Sequence, residues 1–289
     1  MKLNCKVSFF TFEAFHAKSN VGSTKIRVHN LIKYWEEAEL YKYGEKPEVL
    51  IFQKVYVSKD YKVPVTFPAV KILDICDPDW FEGVPIKETV DAMDAITCPT
   101  EPLAEFIRQL TDKPVRVIKD RFDLTEFPSC KIHRGQAKTV VWFGYHHNAS
   151  ALKLAVQSIE RRGLRLKVIA DQDPFASRWA FKPKEFESKY EFVKYQPDTA
   201  YLEIQKADIC VLPKMNRPQD KFKSENKTVI AQLLGLPVAT TADELDQLMT
   251  AEQRNKAVDT VYDIVKKEYD VNKSVQQMKG LIDEIEFNG

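Results

Sequence analysis

Short apolar runs rich in β-branched residues alternate along this chain with stretches whose apolar positions recur every three to four residues. In the first half the runs predict strands at Lys6–Phe12, Glu39–Tyr43, Val49–Val55, Val70–Ile75, Ala95–Cys98 and Val115–Ile118, each bounded by polar or proline-containing turns. Several runs, such as Val49-Leu50-Ile51-Phe52, are continuous rather than alternating, which is the pattern of a parallel strand covered on both faces. Between them, Ser23–Trp35 places Ile26, Leu31 and Tyr34 near one helical face, and Glu101–Leu110 follows a Pro-Thr start signal. The alternation predicts an α/β fold.

Apolar periodicity lapses over Phe127–Lys138, which reads as a linker, and a second series then begins. It comprises strand Thr139–Phe143, helix Ala149–Arg162, strand Leu166–Ala170, strand Glu191–Val193, helix Thr199–Lys206, strand Asp208–Leu212, helix Lys227–Leu234 and strand Pro237–Thr240. Two such series predict two doubly wound, Rossmann-like domains facing across a cleft, over residues 1–134 and 138–268. The tail Glu252–Glu286 reads as helical, with apolar positions at Val258, Val261, Ile264 and Val265 and again at Val275, Met278, Ile282 and Ile285.

Composition removes several classes. Forty-three basic against forty-two acidic residues exclude a polybasic coat or an acidic tail over the whole chain, and 11% aromatics argue against disorder. The five cysteines, Cys5, Cys76, Cys98, Cys130 and Cys210, are odd in number and widely spaced, so they read as core residues of a reducing compartment. No secretory leader is evident, and the uncharged stretch Thr228–Ala242 is only 15 residues long, so a cytoplasmic protein is expected. Neither G-x-G-x-x-G nor G-x-x-x-x-G-K-[ST] occurs, nor G-x-S-x-G, H-E-x-x-H or C-x-x-C.

The segment Ala207–Thr241, "ADICVLPKMNRPQDKFKSENKTVIAQLLGLPVATT", carries the strongest local signal. A strand leads into a basic loop with Lys214, Arg217, Lys221 and Lys223, and Ser224-Glu225-Asn226 opens a helix that ends at Gly235. Ser224 or Asn226 is placed to cap it. Lys227 in its first turn opposes the helix dipole, a placement that makes sense beside a bound phosphate. The same residues read equally well as a solvated basic loop ahead of a core helix.

This segment resembles the "aD…vlP…s-x-NK…a-x-G-x-PV" block of GT-B glycosyltransferases related to the bacterial glycosyl group 1 (family 4-like) enzymes. "DAITCPTEPLAEFIRQLTDKPVRVIKDRFDLTEF" (Asp94–Phe127) is similar to the end of their N-terminal domain, and "TVVWFGYHHNASALKLAVQSI" (Thr139–Ile159) to the strand, glycine turn and helix opening their C-terminal domain. "NVGSTKIRVHNLIKYW" (Asn20–Trp35) resembles their "g-s-x-x-iR" loop. The resemblance implies a metal-independent hexosyltransferase-like enzyme that needs no cofactor and uses a nucleotide sugar as donor. The acceptor would bind the N-terminal domain, and residues 269–289 would form a helix returning towards it. Donor binding would fall to Gly22, Ser23 and Arg27, to Gly144, His147 and Asn148 at the glycine turn, and to Lys214, Ser224, Glu225, Asn226, Lys227 and Thr228. The chain departs from the pattern at Ile230 and Phe222, where carboxylates are usual, and at Tyr145-His146-His147-Asn148, where a basic residue usually follows the glycine.

An inverting transfer needs a general base. Asp77, in "LDICDPDW" after a strand, is the first candidate and His16 the second, with Asp74 weaker. Asp77 before Pro78 reads equally as the start of a turn. His146 and His147, being adjacent, point to opposite sides, so no shared metal is expected. The acceptor classes are a glycan or lipid-linked intermediate, a small metabolite, or a hydroxymethylated DNA base of phage type. No integral membrane association is expected. The rival reading is a non-catalytic module on the same scaffold that binds a nucleotide sugar or a nucleic acid.

Overall fold

The computed structural model describes residues 5–11, 22–58, 62, 66–176 and 190–288. The chain divides into two compact units. The first comprises Met1–Asp123, Arg217–Ser224 and Tyr269–Gly289; the second comprises Leu124–Asn216 and Glu225–Glu268.

In the first unit the strands are β1 (Val7–Thr11), β2 (Ala38–Leu40), β3 (Val49–Gln53), β4 (Val70–Asp74), β5 (Ala95–Cys98) and β6 (Val115–Val117). They form one parallel sheet in the order β2-β1-β3-β4-β5-β6. The helices are α1, which runs over residues 22–33 through a wide π-turn at Lys25–His29, then α2 (Ile86–Ala92) and α3 (Glu101–Arg108). Every residue of β3 is buried, as its continuous apolar run requires. Side chains alternate across a strand, so Val49 and Ile51 join one core with Val28, Leu31 and Trp35, while Leu50 and Phe52 join the other with Val90, Leu103 and Ile107.

The tail is two helices. Helix α8 (Ala251–Glu268) belongs to the second unit and α9 (Val271–Asn288) to the first. The break lies at Tyr269-Asp270, where the Phe122 amide donates to the Tyr269 carbonyl (2.9 Å) and the Val271 amide to the Phe122 carbonyl (3.1 Å). Val275, Met278, Leu281 and Ile282 of α9 are buried against the first core. Phe222 also belongs to the first unit, in the short segment Arg217–Ser224 that is flanked on both sides by residues of the second. It sits in the core beside Trp80 and Phe106, and the Thr100 hydroxyl donates to its carbonyl at 2.8 Å.

The second unit contains β7 (Thr139–Phe143), β8 (Arg165–Ala170), β9 (Tyr190–Lys194), β10 (Ile209–Val211) and β11 (Val238–Ala239), parallel and in the order β11-β10-β7-β8-β9. Its helices are α4 (Val156–Arg161), α5 (Ala200–Gln205), α6 (Asn226–Leu233), α7 (Ala242–Asp246) and α8. The expected helix over Ala149–Arg162 is α only in its second half, because His146–Leu154 winds as a tighter 3₁₀ segment.

The expected linker is a packed strap on this unit. Phe127 stacks on Tyr201 at 4.4 Å, and the Lys131 ammonium donates to the carbonyls of Gln205 and Ala207. Buried His133 donates from Nε2 to the Gly235 carbonyl (2.8 Å) and accepts at Nδ1 from Arg254 Nε (3.3 Å). Among the described residues Arg254 has no carboxylate partner; its guanidinium donates instead to the carbonyls of Leu248, Met249 and Gly135.

The strap makes the second unit sensitive at two positions. Gly235 has φ +71°, and a Cβ there would lie 2.4 Å from the Lys131 amide nitrogen. Gly235→Ala is therefore expected to destabilise the second unit by about 2 kcal/mol or more, read as a lower urea midpoint. Burial holds the His133 imidazole below its ordinary value of 6.5, against the opposing pull of the Gly235 carbonyl. The unfolded chain thus binds a proton more readily, and the stability His133 contributes is present above pH 6.5 and lost as the pH falls below it. Thermal melts from pH 7.5 to 5.5 should drop more steeply for the wild type than for His133→Gln.

Candidate functional site

In open parallel sheets, ligands gather beyond the carboxyl ends of the strands where the strand order reverses. The reversal lies between β1 and β3 in the first unit and between β7 and β10 in the second.

At the first edge, Arg27 is a buried node. Its Nε and Nη2 engage Asp74 at 2.5–3.0 Å, while Nη1 donates to Asp120 (2.6 Å) and to the Ile118 carbonyl (2.9 Å). The Thr97 hydroxyl donates to Asp74 (2.6 Å) and the Ser224 hydroxyl to Asp120 (2.7 Å). Arg27 is 4% exposed, so it is placed to hold the edge together rather than to meet a ligand. Ser224 is likewise engaged in the first unit. Gly22 is exposed and Ser23 half-buried at the start of α1, while Thr24 donates to Gln53 at 3.2 Å.

Beyond β3, Lys54 adopts a left-handed backbone (φ 53°), an uncommon state for a residue with a side chain. Its ammonium lies 2.8 Å from Asp77 Oδ2 and 3.2 Å from Asp79 Oδ1, and the Tyr56 hydroxyl donates to Asp79 at 2.5 Å. Asp77 is the open member, with a side chain 39% exposed. Among the described residues its Oδ1 takes no hydrogen bond. His16 lies outside the described residues.

The second edge gathers the glycine turn and the start of α6. Gly144 has φ +147°, and a Cβ there would come within 3.5 Å of the Lys227 ammonium. That ammonium also lies 5.1 Å from the centre of the Trp142 ring. Asn226 is the first residue of α6 and half-buried, and Thr228 follows in its first turn, also half-buried. The capping position falls to Glu225, whose side chain makes no capping bond, so neither Ser224 nor Asn226 takes the expected role. Glu225 pairs instead with Lys214 (3.1 Å), both of them exposed. Tyr145 and His147 stack at 5.7 Å, and Asn148 Nδ2 lies 3.2 Å from His147 Nε2.

Of the other basic loop residues, Arg217 pairs with Asp220 (3.0 Å) and Lys221 lies over the Phe222 ring (4.7 Å). Phe222 lies in the first unit's core and Ile230 packs against the core of the second, so two positions where the resemblance expects carboxylates are packing positions here.

Two groups were missed from sequence. Lys54 carries no motif. Asp171 directly follows the Leu166–Ala170 run, the position of an acid at a strand's carboxyl end, which is a signal that could have found it. The His146 amide donates to Asp171 Oδ1 and its Nδ1 to Oδ2, each at 2.8 Å. Burial would raise the Asp171 carboxyl, but these bonds outweigh it and hold it below its ordinary value. The cysteines are not nucleophiles of these edges: Cys76 is buried, and burial pushes the Cys98 and Cys210 thiols up to about 12. Among the described residues, no cluster of His, Cys, Asp and Glu is placed to hold a metal, and no helix is long and apolar enough to cross a membrane.

No protein family and no curated protein matches the chain in sequence. Solved structures do match in fold. AviGT4, described as a glycosyltransferase involved in avilamycin A biosynthesis, aligns over 99% of both chains with a TM-score of 0.59 at 10% identity. TarM aligns over 87% of this chain with a TM-score of 0.58 at 12% identity, and this chain spans 57% of TarM's length. A UDP-N-acetylglucosamine 2-epimerase described as putative, from Listeria monocytogenes, aligns over 96% of this chain and 95% of its own with a TM-score of 0.51 at 11% identity. The class that emerges is the α/β fold of GT-B glycosyltransferases, built from two parallel sheets with helices. At this identity the likeness is one of fold.

The Arg27 node generates a prediction. Arg27→Met leaves Asp74 and Asp120 buried without their cation, a loss of about 3–5 kcal/mol. Unfolding should separate into two transitions, with that of the first unit moved to lower denaturant.

Proposed function

We propose that the protein transfers a sugar from a nucleotide-sugar donor to an acceptor hydroxyl, without a metal. The observation that carries this reading is the Lys227 ammonium above the Gly144 turn, beside the first turn of α6, at the strand-order reversal of the second unit. Cation, helix dipole and close backbone approach together suit a diphosphate. Lys227, Asn226, Thr228 and the Gly144 backbone are its ligands in this reading. Lys214, Glu225, His147 and Asn148 are assigned to the remainder of the donor, and the departing diphosphate is stabilised by these fixed positive groups.

Asp77 is the general base of this scheme. Asp77, held through Oδ2 by Lys54, takes the proton from the acceptor hydroxyl at Oδ1. As that proton leaves, the acceptor oxygen bonds to the anomeric carbon, the bond from that carbon to the diphosphate breaks, and the nucleotide diphosphate departs with the electron pair. In this scheme Arg27 and Ser224 support the site without touching the donor. A structure of a single-substitution mutant of S. aureus TarM is described in complex with UDP and α-GlcNAc-glycerol, which favours a nucleotide donor and a glycan-type acceptor. The hydroxymethylated DNA acceptor finds no such support. A second reading, a binding module without catalysis, is favoured only by the apolar Ile230.

Lys227→Ala is expected to weaken nucleotide-sugar binding by about ten- to a hundredfold, and Asn226→Ala by about tenfold, in calorimetry without added metal. Melting profiles of the two variants should remain those of a folded protein. Unchanged affinity in both would overturn the donor site. Slow hydrolysis of the bound donor by the wild type, abolished in Asp77→Asn, would separate the enzyme from the binding module.

A further inference from the structure

The scheme above uses Asp77 and Lys54, and leaves Tyr56 and Asp79 without a part. Yet the four side chains form one chain of contacts, with Lys54 and Tyr56 following β3 and Asp77 and Asp79 following β4. The two carboxylates share the Lys54 ammonium but differ in what else they do. Asp79 is buried and engaged at both oxygens, at Oδ1 by Lys54 (3.2 Å) and at Oδ2 by the Tyr56 hydroxyl (2.5 Å). Asp77 is open and engaged by Lys54 at Oδ2 alone, which leaves Oδ1 without a hydrogen bond among the described residues.

A lysine orients a carboxylate poorly by itself. Its ammonium is a point charge on a flexible stem, so a lone pair with an open aspartate leaves both side chains free to turn. The ammonium directs Asp77 only if it is itself held, and here it is held at both ends. The stem starts from a left-handed backbone (φ 53°) whose amide donates to the Asp74 carbonyl at 3.0 Å. At the far end Asp79 takes the ammonium and Tyr56 takes Asp79. Burial raises the Tyr56 hydroxyl well above its ordinary value, so it stays protonated and donates. Burial also pushes the Asp79 carboxyl up, against the pull of Lys54 and Tyr56. A cluster kept only to join the two segments would need neither a buried carboxylate nor a left-handed lysine, each of which costs stability.

We propose that Tyr56 and Asp79 are positioning residues for the acceptor base: by pinning the Lys54 ammonium from its far side, they hold Asp77 through Oδ2 and present Oδ1 to the acceptor hydroxyl. The assignment rests on the role of Asp77 proposed above and adds no step to that scheme. Neither residue touches donor or acceptor, and their effect passes from Tyr56 to Asp79, from Asp79 to Lys54 and from Lys54 to Asp77. The main chain supports the same arrangement. The Asp79 amide donates to the Asp77 carbonyl (2.9 Å) and the Val84 amide to the Asp79 carbonyl (3.3 Å), so the two carboxylates are borne by one tight turn.

The test is the slow hydrolysis of UDP-, GDP- and dTDP-glucose, in which water stands in for the acceptor hydroxyl, followed for whichever donor the wild type cleaves fastest. Tyr56→Phe should lower kcat about tenfold and leave KM for the donor unchanged, because a base displaced by a fraction of an ångström slows the proton transfer without touching the donor. Asp79→Ala should lower kcat about a hundredfold, and Asp79→Asn, which keeps a carbonyl for the ammonium, should recover about tenfold of that loss. The double variant Tyr56→Phe with Asp79→Ala should be no slower than Asp79→Ala alone, since Tyr56 acts only through Asp79; two merely structural losses would add. Wild-type kcat in Tyr56→Phe and Asp79→Asn, or additive losses in the double variant, would overturn the clamp while leaving Asp77 as the base. Hydrolysis of none of the three donors by the wild type, or hydrolysis undiminished in Asp77→Asn, would overturn the base and the clamp with it. Melting profiles confirm that each variant is folded, and Tyr56→Phe carries the test if Asp79→Ala does not fold.

Discussion

The buried contact between Arg27 and its two carboxylates organises the first unit. Charges removed from water are costly unless each finds a partner, and here one planar guanidinium meets Asp74 at the end of β4 and Asp120 beyond β6 while remaining on α1. The three elements cannot shift independently without leaving a buried charge unpaired. Ser224 and Thr97, donating to the same two carboxylates, extend the constraint to the segment around Phe222 and to β5. Lys54, Asp77 and Asp79 lie beyond that fixed edge and are positioned by it.

The fold was legible because its signals are local and redundant. β3 reads as a doubly covered strand from four consecutive apolar residues, and the apolar spacing of Val275, Met278 and Ile282 reads as a helix face whatever it packs on. The linker over 127–138 was misleading for a physical reason. The strap gains its order from polar contacts, His133 to Gly235 and Lys131 to backbone carbonyls, and hydrophobic periodicity does not register these. The break between α8 and α9 is made by main-chain bonds to Phe122, another contact that periodicity does not register.

The candidate site was legible only in part. The loop before α6 announced itself by composition and spacing. Charge and glycine spacing, however, carry no information on which side chains are already engaged. Arg27 and Ser224 matched a pattern yet are occupied in a buried network, whereas Lys54 and Asp171 matched none and lie at the strand ends. What separates them is three-dimensional partnership: Arg27 has two carboxylates from residues 47 and 93 positions away.

The interleaving of the chain has a consequence for how the gene can be divided. Eight residues between β10 and α6 and the whole of α9 belong to the first unit, so its core is completed by Phe222 and by Val275, Met278 and Ile282, encoded far downstream of β6. No single cut in the reading frame yields a fragment holding the entire first unit. A fragment ending near residue 134 would expose two apolar faces that Phe222 and α9 normally cover, and a ribosome releasing only that portion would present an incomplete core to the cell. The first unit can therefore finish folding only after α9 has been made, which ties the maturation of an N-terminal domain to a helix translated after the whole of the second unit.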